Sequence, residues 1–368
     1  MRIRGAVLEE VGRPAPFRES RPLTVSELEL AEPGREEIRV RIEVAGLCHS
    51  DLSVVDGNRA RPTPMLLGHE AAGIVDAVGP GADPEMLGRR VVMTFLPRCG
   101  ACEGCASNGL RPCVPGSAAN GAGELIAGGR RLSRDGIPVH HHLGVSGFAD
   151  HAVVSVHSVV PVSDDVPADV AAVLGCAVLT GGGAVLNAGR PSPGQTVAVV
   201  GLGGVGMAAL LTALALDDLT VIAVDAVEAK LALARELGAA RALSPAEAVE
   251  SGLRAPVVIE AAGNVRALET AIALTEAGGR TVTVGLPAPD ARVSFSPTAL
   301  VAEGRSIIGS YLGSAVPERD IPVFVDLWRR GRLPVERLVS SEIALDDINE
   351  GMDALASGAA VRQIIRFA

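Results

Sequence analysis

Short runs rich in Val and Ile dominate the first half of the chain: EIRVRIEVAGLC (37–48), AAGIVDAVG (71–79), RRVVMTF (89–95) and FADHAVVSVHSVVPV (148–162). Turn residues separate them, so the pattern predicts a β-rich domain. From about Ala177 the rhythm changes. VAVVG leads into an Ala/Leu run, TVIAVD into EAKLALARELGA, and VVIEAAG into VRALETAIALTEAGG, with RTVTVG and SIIGSYLG following as strands. Alternating strands and helices predict a parallel, doubly wound α/β sheet. The tail, DINEGMDALASG and then VRQIIRF, reads as a helix and a strand that rejoin the first domain.

One stretch imitates a membrane span. Gln195 to Leu216 carries no charged residue and is long enough to cross a bilayer. Gly201, Gly203, Gly204 and Gly206 near its start divide it into a buried strand, a tight turn and a buried helix, so no membrane association is expected.

Composition narrows the class. A chain of 368 residues suits two domains that fold without covalent staples. The net charge of -10, without a basic tract, and an aromatic content of 2% argue against a nucleic-acid partner, which needs a cationic face and stacking platforms. The N-terminal MRIRGAVLEEVGRPAPF has charges every few residues and lacks the apolar core of a secretory signal, so a cytoplasmic protein is expected.

Against that background two sets of cysteines stand out among the six in the chain. Cys99, Cys102, Cys105 and Cys113 are spaced C-x2-C-x2-C-x7-C in a single loop. Four thiolates so close fit tetrahedral zinc, and four sulfur donors leave no position for water, so this metal would be structural; an iron–sulfur site or a vestigial loop is the alternative. Cys48 in GLCHSD and Cys176 in LGCAVLTGGG lie far apart, with His69 and Glu70 of GHE between them. Two thiolates and one imidazole make a three-donor set with an open fourth position. The third signal is GLGGVG (201–206), which follows an apolar strand and opens an apolar helix, with Asp225 ending the next strand 24 residues after Gly201. That context is the dinucleotide fingerprint: Gly201, Gly203 and Gly206 let the backbone approach a pyrophosphate, the helix N-terminus at Gly204 and Val205 offers free N–H groups, and Asp225 accepts from ribose hydroxyls. Lys230, on the helix that follows, joins this candidate cofactor set.

These motifs, with GHEAAGIV, HHLGVSGF, INEGMDALASG and VRQII, run collinearly through nearly the whole chain. The sequence resembles the zinc-dependent alcohol dehydrogenases of the medium-chain dehydrogenase/reductase family, in particular the branch of the liver enzymes and glutathione-dependent formaldehyde dehydrogenase. The resemblance implies a Rossmann cofactor domain (178–312) inserted in a GroES-like catalytic domain (1–177, completed by 313–368). It implies NAD and two zinc ions per chain, with Cys48, His69 and Cys176 on the catalytic zinc, a donor set established for alcohol dehydrogenases. Glu70 would lie near that metal, Asp51 would orient His69, and Ser50 would bond the substrate oxygen and begin proton exit. Thr180 would lie beside the nicotinamide, His49 and Arg362 at the pyrophosphate, and Phe95, Phe148 and Leu286 along the substrate. A homodimer is expected, with a tetramer as the alternative.

The chain departs from the branch at two points. Ser53 stands where a histidine often ends the proton relay, and VPGSAAN after Cys113 lacks the arginine that binds the glutathione carboxylate. An uncharged, largely apolar primary alcohol or its aldehyde is therefore expected as substrate. Arg59 and Arg61 read as solvated loop charges, and His140, His141 and His142 as packing or surface residues, since neighbours in an extended chain face opposite ways. The rival readings are a formaldehyde dehydrogenase acting on a different thiol adduct, a biosynthetic reductase, and a catalytically silent NAD-binding protein.

Overall fold

The computed structural model describes residues 1–358 and 360–367. It divides into two compact units, Met1–Cys176 with Val339–Ala368, and Ala177–Leu338.

In the first unit, strands Arg2–Leu8, Leu23–Leu30, Leu132–Arg134, Ile137–His141 and Met65–Leu66 close into a barrel. A seven-stranded sheet is built around Glu37–Leu47, which pairs with Glu70–Val78, His151–Ser155 and the C-terminal Gln363–Arg366, all antiparallel. Alternate residues of Glu37–Leu47, among them Ile38, Val40 and Ile42, enter a core shared with Val54, Met93, Phe148 and Ile365. The closing strand thus comes from the far end of the chain. Asn349 fastens the same return by donating to the Leu23 carbonyl (2.9 Å) and accepting from its N–H (3.2 Å).

The second unit holds six parallel strands: β1 (Thr196–Val200), β2 (Thr220–Val224), β3 (Arg241–Leu243), β4 (Ala255–Glu260), β5 (Thr275–Thr283) and β6 (Ser306–Gly309). Their spatial order is β3-β2-β1-β4-β5-β6, the doubly wound arrangement in which ligands gather where the order reverses, beside β1. The uncharged stretch divides as its glycines predict, into β1 and helix Gly204–Ala215. A different helical run, Ala168–Gly189, is long and apolar enough to cross a membrane, and 89% of its apolar window is buried inside the fold, as in a core helix.

The return to the first unit falls later than the expected residue 313. Pro317–Arg329 is an amphipathic helix of the second unit, and the Phe324 ring lies where a Cβ on Gly182 would be, at 2.5 Å. The strand-like SYLG is also short of a strand. Residues Tyr311–Ser314 form a tight turn with Leu312 and Gly313 left-handed, because Gly313 packs against the Leu179 and Thr180 carbonyls with no room for a side chain.

Candidate functional site

Strand Glu37–Leu47 ends at Cys48, which begins the short helix His49–Val55. Cys48 N–H donates to Asp51 Oδ2 at 3.1 Å, fixing the side chain of a completely buried carboxylate. His69 precedes strand Glu70–Val78. It is set there by Gly68, whose φ of 90° and lack of room, a Cβ there falling 2.4 Å from the Phe148 nitrogen, exclude any side chain. Cys176 sits in a π-helical turn, Leu174–Val178, after Gly175, where a Cβ would fall 2.0 Å from the Met93 carbonyl oxygen. These local constraints bring Cys48, His69 and Cys176 together, all buried, with their donor atoms within 4.8 Å of one another.

The distances fit a metal. Cys176 Sγ lies 3.4 Å from His69 Nε2, close to the ~3.5 Å edge of a zinc tetrahedron with ordinary Zn–S and Zn–N bonds. His69 Nδ1 donates to Asp51 Oδ1 at 2.9 Å, which leaves the Nε2 lone pair for the ion. Without metal, a hydrogen bond with Cys176 is the main influence on Cys48. It holds the Cys48 thiol well below the usual range and raises that of Cys176 well above it. Burial works against a charged His69, but Asp51 prevails and raises its pKa.

Glu70 lies beside these donors, fully buried, its pKa pushed up to about 7 chiefly by desolvation. Gly46 makes room for it, since a Cβ there would meet Glu70 Oε1 at 2.4 Å. Its charged neighbour is Arg362, the residue expected at the pyrophosphate. The Arg362 guanidinium is buried, donating Nη1 to the Leu47 carbonyl at 2.8 Å and lying 3.4 Å from Glu70 Oε2.

Of the remaining residues expected near the substrate, Phe95 is buried with its ring edge-on to His69, centroids 5.6 Å apart. Phe148 is a correction: it is fully enclosed in the hydrophobic core, its backbone tied to Leu67, so it lines no open surface. Ser50 is partly exposed on the first turn of the His49–Val55 helix, and His49 is exposed. The Ser53 hydroxyl donates back to the His49 carbonyl at 2.8 Å. His142 is the residue that sequence reasoning missed. Beyond the end of strand Ile137–His141 it turns inward, its Nδ1 3.3 Å from Asp51 Oδ1 and its ring edge-on to His69.

In the four-cysteine loop, Cys99 and Cys105 sulfurs are 3.9 Å apart, as are those of Cys102 and Cys113. A tetrahedral zinc tetrathiolate has edges of about 3.8 Å, whereas a disulfide would need about 2.05 Å. Main-chain N–H groups of Cys99, Cys105 and Gly116 point at the sulfurs. They favour thiolates, and Cys102 is lowered to about 6, chiefly by the Cys105 N–H, while burial raises Cys105 to about 12.

In the second unit the glycine fingerprint follows β1. Gly201 is left-handed at φ 91°, and its missing Cβ would collide with Ala262 at 2.6 Å; a Cβ on Gly206 would lie 1.7 Å from the Gly201 carbonyl oxygen. Gly203 is different: nothing lies within 4 Å of its absent Cβ. The Gly204, Val205 and Gly206 backbone opens helix Gly204–Ala215 there. Asp225, at the end of β2, accepts from Leu202 N–H at 2.6 Å and Val227 N–H at 2.8 Å, so its carboxylate is aimed beside the turn. Thr180 is buried on helix Leu179–Gly183, Lys230 is half-buried on Glu228–Glu236, and Leu286 is an exposed loop residue.

Two family models match the chain, one for an alcohol dehydrogenase GroES-like domain over residues 34–164 and one for a zinc-binding dehydrogenase over residues 204–329. An alcohol dehydrogenase zinc-binding domain protein from Burkholderia ambifaria is 32% identical, with a TM-score of 0.92 over 100% of this chain and 99% of that one. Benzyl alcohol dehydrogenase from Acinetobacter calcoaceticus is 30% identical, with a TM-score of 0.90 and 100% of both chains covered. A cobalt- and zinc-bound thermostable alcohol dehydrogenase from Pyrobaculum aerophilum is 26% identical, with a TM-score of 0.81 and 100% of both chains covered.

Proposed function

Because the chain belongs to the zinc-dependent alcohol dehydrogenases of the medium-chain dehydrogenase/reductase family, we propose that it interconverts a primary alcohol and its aldehyde with NAD and two zinc ions per chain. The observation that carries this reading is the convergence of Cys48, His69 and Cys176, buried and with donor atoms within 4.8 Å of one another, with Asp51 behind the histidine. When bound, the catalytic zinc supplies Lewis-acid polarisation of the substrate oxygen, and NAD supplies a hydride acceptor.

The chain's own residues do the rest. Cys48, His69 and Cys176 would hold the ion, and their two thiolates would offset its charge. Asp51 keeps His69 in the Nδ1–H tautomer. The Ser50 hydroxyl takes the proton of the alcohol. Its neighbour Ser53 is already committed to the His49 carbonyl, so the proton passes from Ser50 to water. The open space at Gly203 and the N-terminus of helix Gly204–Ala215 receive the pyrophosphate, and Asp225 receives ribose hydroxyls. Cys99, Cys102, Cys105 and Cys113 hold the second zinc for stability alone.

An apolar substrate body is supported by Phe95 beside His69 and by the benzyl alcohol dehydrogenase likeness. A homodimer is proposed through β6, the last strand of its sheet among the described residues, with the exposed Phe295 and Val301 preceding it in the chain; cytoplasmic residence is proposed because thiolate ligands persist in reducing compartments. The test is an NADH absorbance assay from ethanol to octanol and benzyl alcohol. Each added methylene should improve kcat/KM by up to roughly 0.8 kcal/mol, about fourfold, until the site is full. A flat series, with formaldehyde oxidised only when a small thiol is added, would replace this reading by the thiol-adduct one.

A further inference from the structure

Asp51 has two imidazoles, not one. Its Oδ1 faces His69 Nδ1 at 2.9 Å and His142 Nδ1 at 3.3 Å, while Oδ2 accepts the Cys48 N–H. All three side chains are essentially inaccessible to solvent. The His142 contact is at ion-pair distance without hydrogen-bond alignment, and its Nδ1 is otherwise a buried polar atom with no partner. An ionised carboxylate only accepts, so His69 donates its Nδ1–H to it, while His142 Nδ1 stands beside the same oxygen at ion-pair distance.

The backbone after His142 is built to aim this ring. Leu143, Gly144 and Ser146 are all left-handed, at φ 52°, 69° and 54°, a costly conformation for leucine and serine. The turn closes on His142 itself: its carbonyl accepts from Val145 and Ser146 N–H groups, and its N–H donates to Ser146 Oγ at 3.0 Å. The ring ends edge-on to His69, planes at 89°. Removing the ring would leave Asp51 held by one imidazole and one amide, with nothing bearing on Oδ1 from the second direction.

We propose that His142 is a positioning residue for the catalytic metal: it pins the Asp51 carboxylate from a second direction, and Asp51 in turn holds His69 with Nε2 directed at the ion. The assignment rests on the reading of Cys48, His69 and Cys176 as a zinc site. A partner one shell behind a ligand typically changes metal affinity by about 10- to 100-fold when lost.

The test uses the full-length protein in three forms: wild type, His142→Phe and His142→Asn. Phenylalanine keeps the ring without the N–H; asparagine keeps an N–H near the Nδ1 position without the ring. Zinc release to a chromogenic chelator, the visible spectrum after cobalt replaces the catalytic zinc, and the melting temperature are measured in each. His142→Phe should lose catalytic metal about 10- to 100-fold more readily and shift the cobalt bands, while NAD affinity stays unchanged. His142→Asn should recover most of the retention and the wild-type bands even if its melting temperature falls further. Equal metal retention in wild type and His142→Phe, or equal loss in both variants, overturns the proposal and makes His142 a packing residue. Should wild type and Cys48→Ser hold the same number of zinc ions, the underlying zinc assignment fails, and the proposal with it.

Discussion

Gly203→Ala separates a glycine kept for the cofactor from glycines kept for the fold. Alanine at Gly201 or Gly206 would strike protein atoms at 2.6 and 1.7 Å, whereas at Gly203 it meets nothing within 4 Å. The backbone there, φ -72° and ψ -172°, is ordinary extended chain that any residue adopts. Alanine would reduce unfolded-state entropy, a gain of about 0.4–1 kcal/mol. It is also a poorer N-cap than glycine, by a similar amount, and the two effects offset each other. The melting temperature should therefore move by no more than a few degrees. The new methyl would instead stand where the pyrophosphate approaches the helix N-terminus. Losing one hydrogen bond to a charged group costs about 1.5–3 kcal/mol, roughly 10- to 150-fold in Kd. Titration with NADH by fluorescence should show that loss, while adenosine, which has no phosphate, binds as before. Unchanged NADH affinity at an unchanged melting temperature would refute the placement of the pyrophosphate, and Gly206→Ala should show the opposite pattern, a lower melting temperature first.

Three further expectations follow from particular residues. Cys102→Ser should remove one of two zinc ions by elemental analysis and lower thermal stability while the second ion stays; a single zinc in folded wild type contradicts the tetrathiolate. Asp225→Ser should reduce the NAD-over-NADP preference by about 10- to 100-fold in kcat/KM, since the carboxylate repels a 2′-phosphate, and equal use of both cofactors by wild type would remove its role. His141 accepts the Arg131 N–H at 3.0 Å, and burial, followed by Arg131, Arg130 and His140, lowers its pKa to about 3 from 6.5. Between those values the unfolded chain binds a proton that the folded one does not. Stability is thus intact above about pH 6.5 and falls as pH drops below it, by roughly 2 kcal/mol at pH 5. His141→Gln should flatten urea-denaturation stability between pH 7 and 5, and a profile parallel to wild type would mean that other groups govern it.

What the sequence revealed and what it hid divide along physical lines. Strand, glycine turn and helix at 196–215 are local, set by β-branched content and by clashes a few residues away, so a linear reading finds them. The two clusters able to hold a metal were legible because thiols are rare and their spacing is chemical information. His142 was hidden by a rule that holds only inside a strand. Alternation applies to His140 and His141, but the strand ends at His141, and the left-handed turn at Leu143 and Gly144 sends the next ring inward. The turn-forming LGVSG was the available signal. Phe148 was placed by motif position, and motif position does not report burial. The late return at residue 339 reflects a helix whose apolar side could have covered either unit until Phe324 was seen against Gly182.

The strand Gln363–Arg366 has a consequence for how the protein is born. It covers the edge of Glu37–Leu47 at Val44–Leu47, next to Cys48, while His151–Ser155 covers the other end of the same edge. During synthesis the ribosome releases Cys48, His69 and Cys176 long before residue 363 exists. For that interval the backbone beside the proposed metal ligands presents bare amides and carbonyls, and the nascent chain carries a sticky edge flanked by thiols. Closing it requires ends more than 300 residues apart to meet, a slow event even though loop entropy grows only logarithmically. Zinc that reaches the nascent chain early would tie Cys48, His69 and Cys176 together first. Growth in zinc-depleted medium should thus lower the soluble yield of newly made protein more than chelation harms protein already folded.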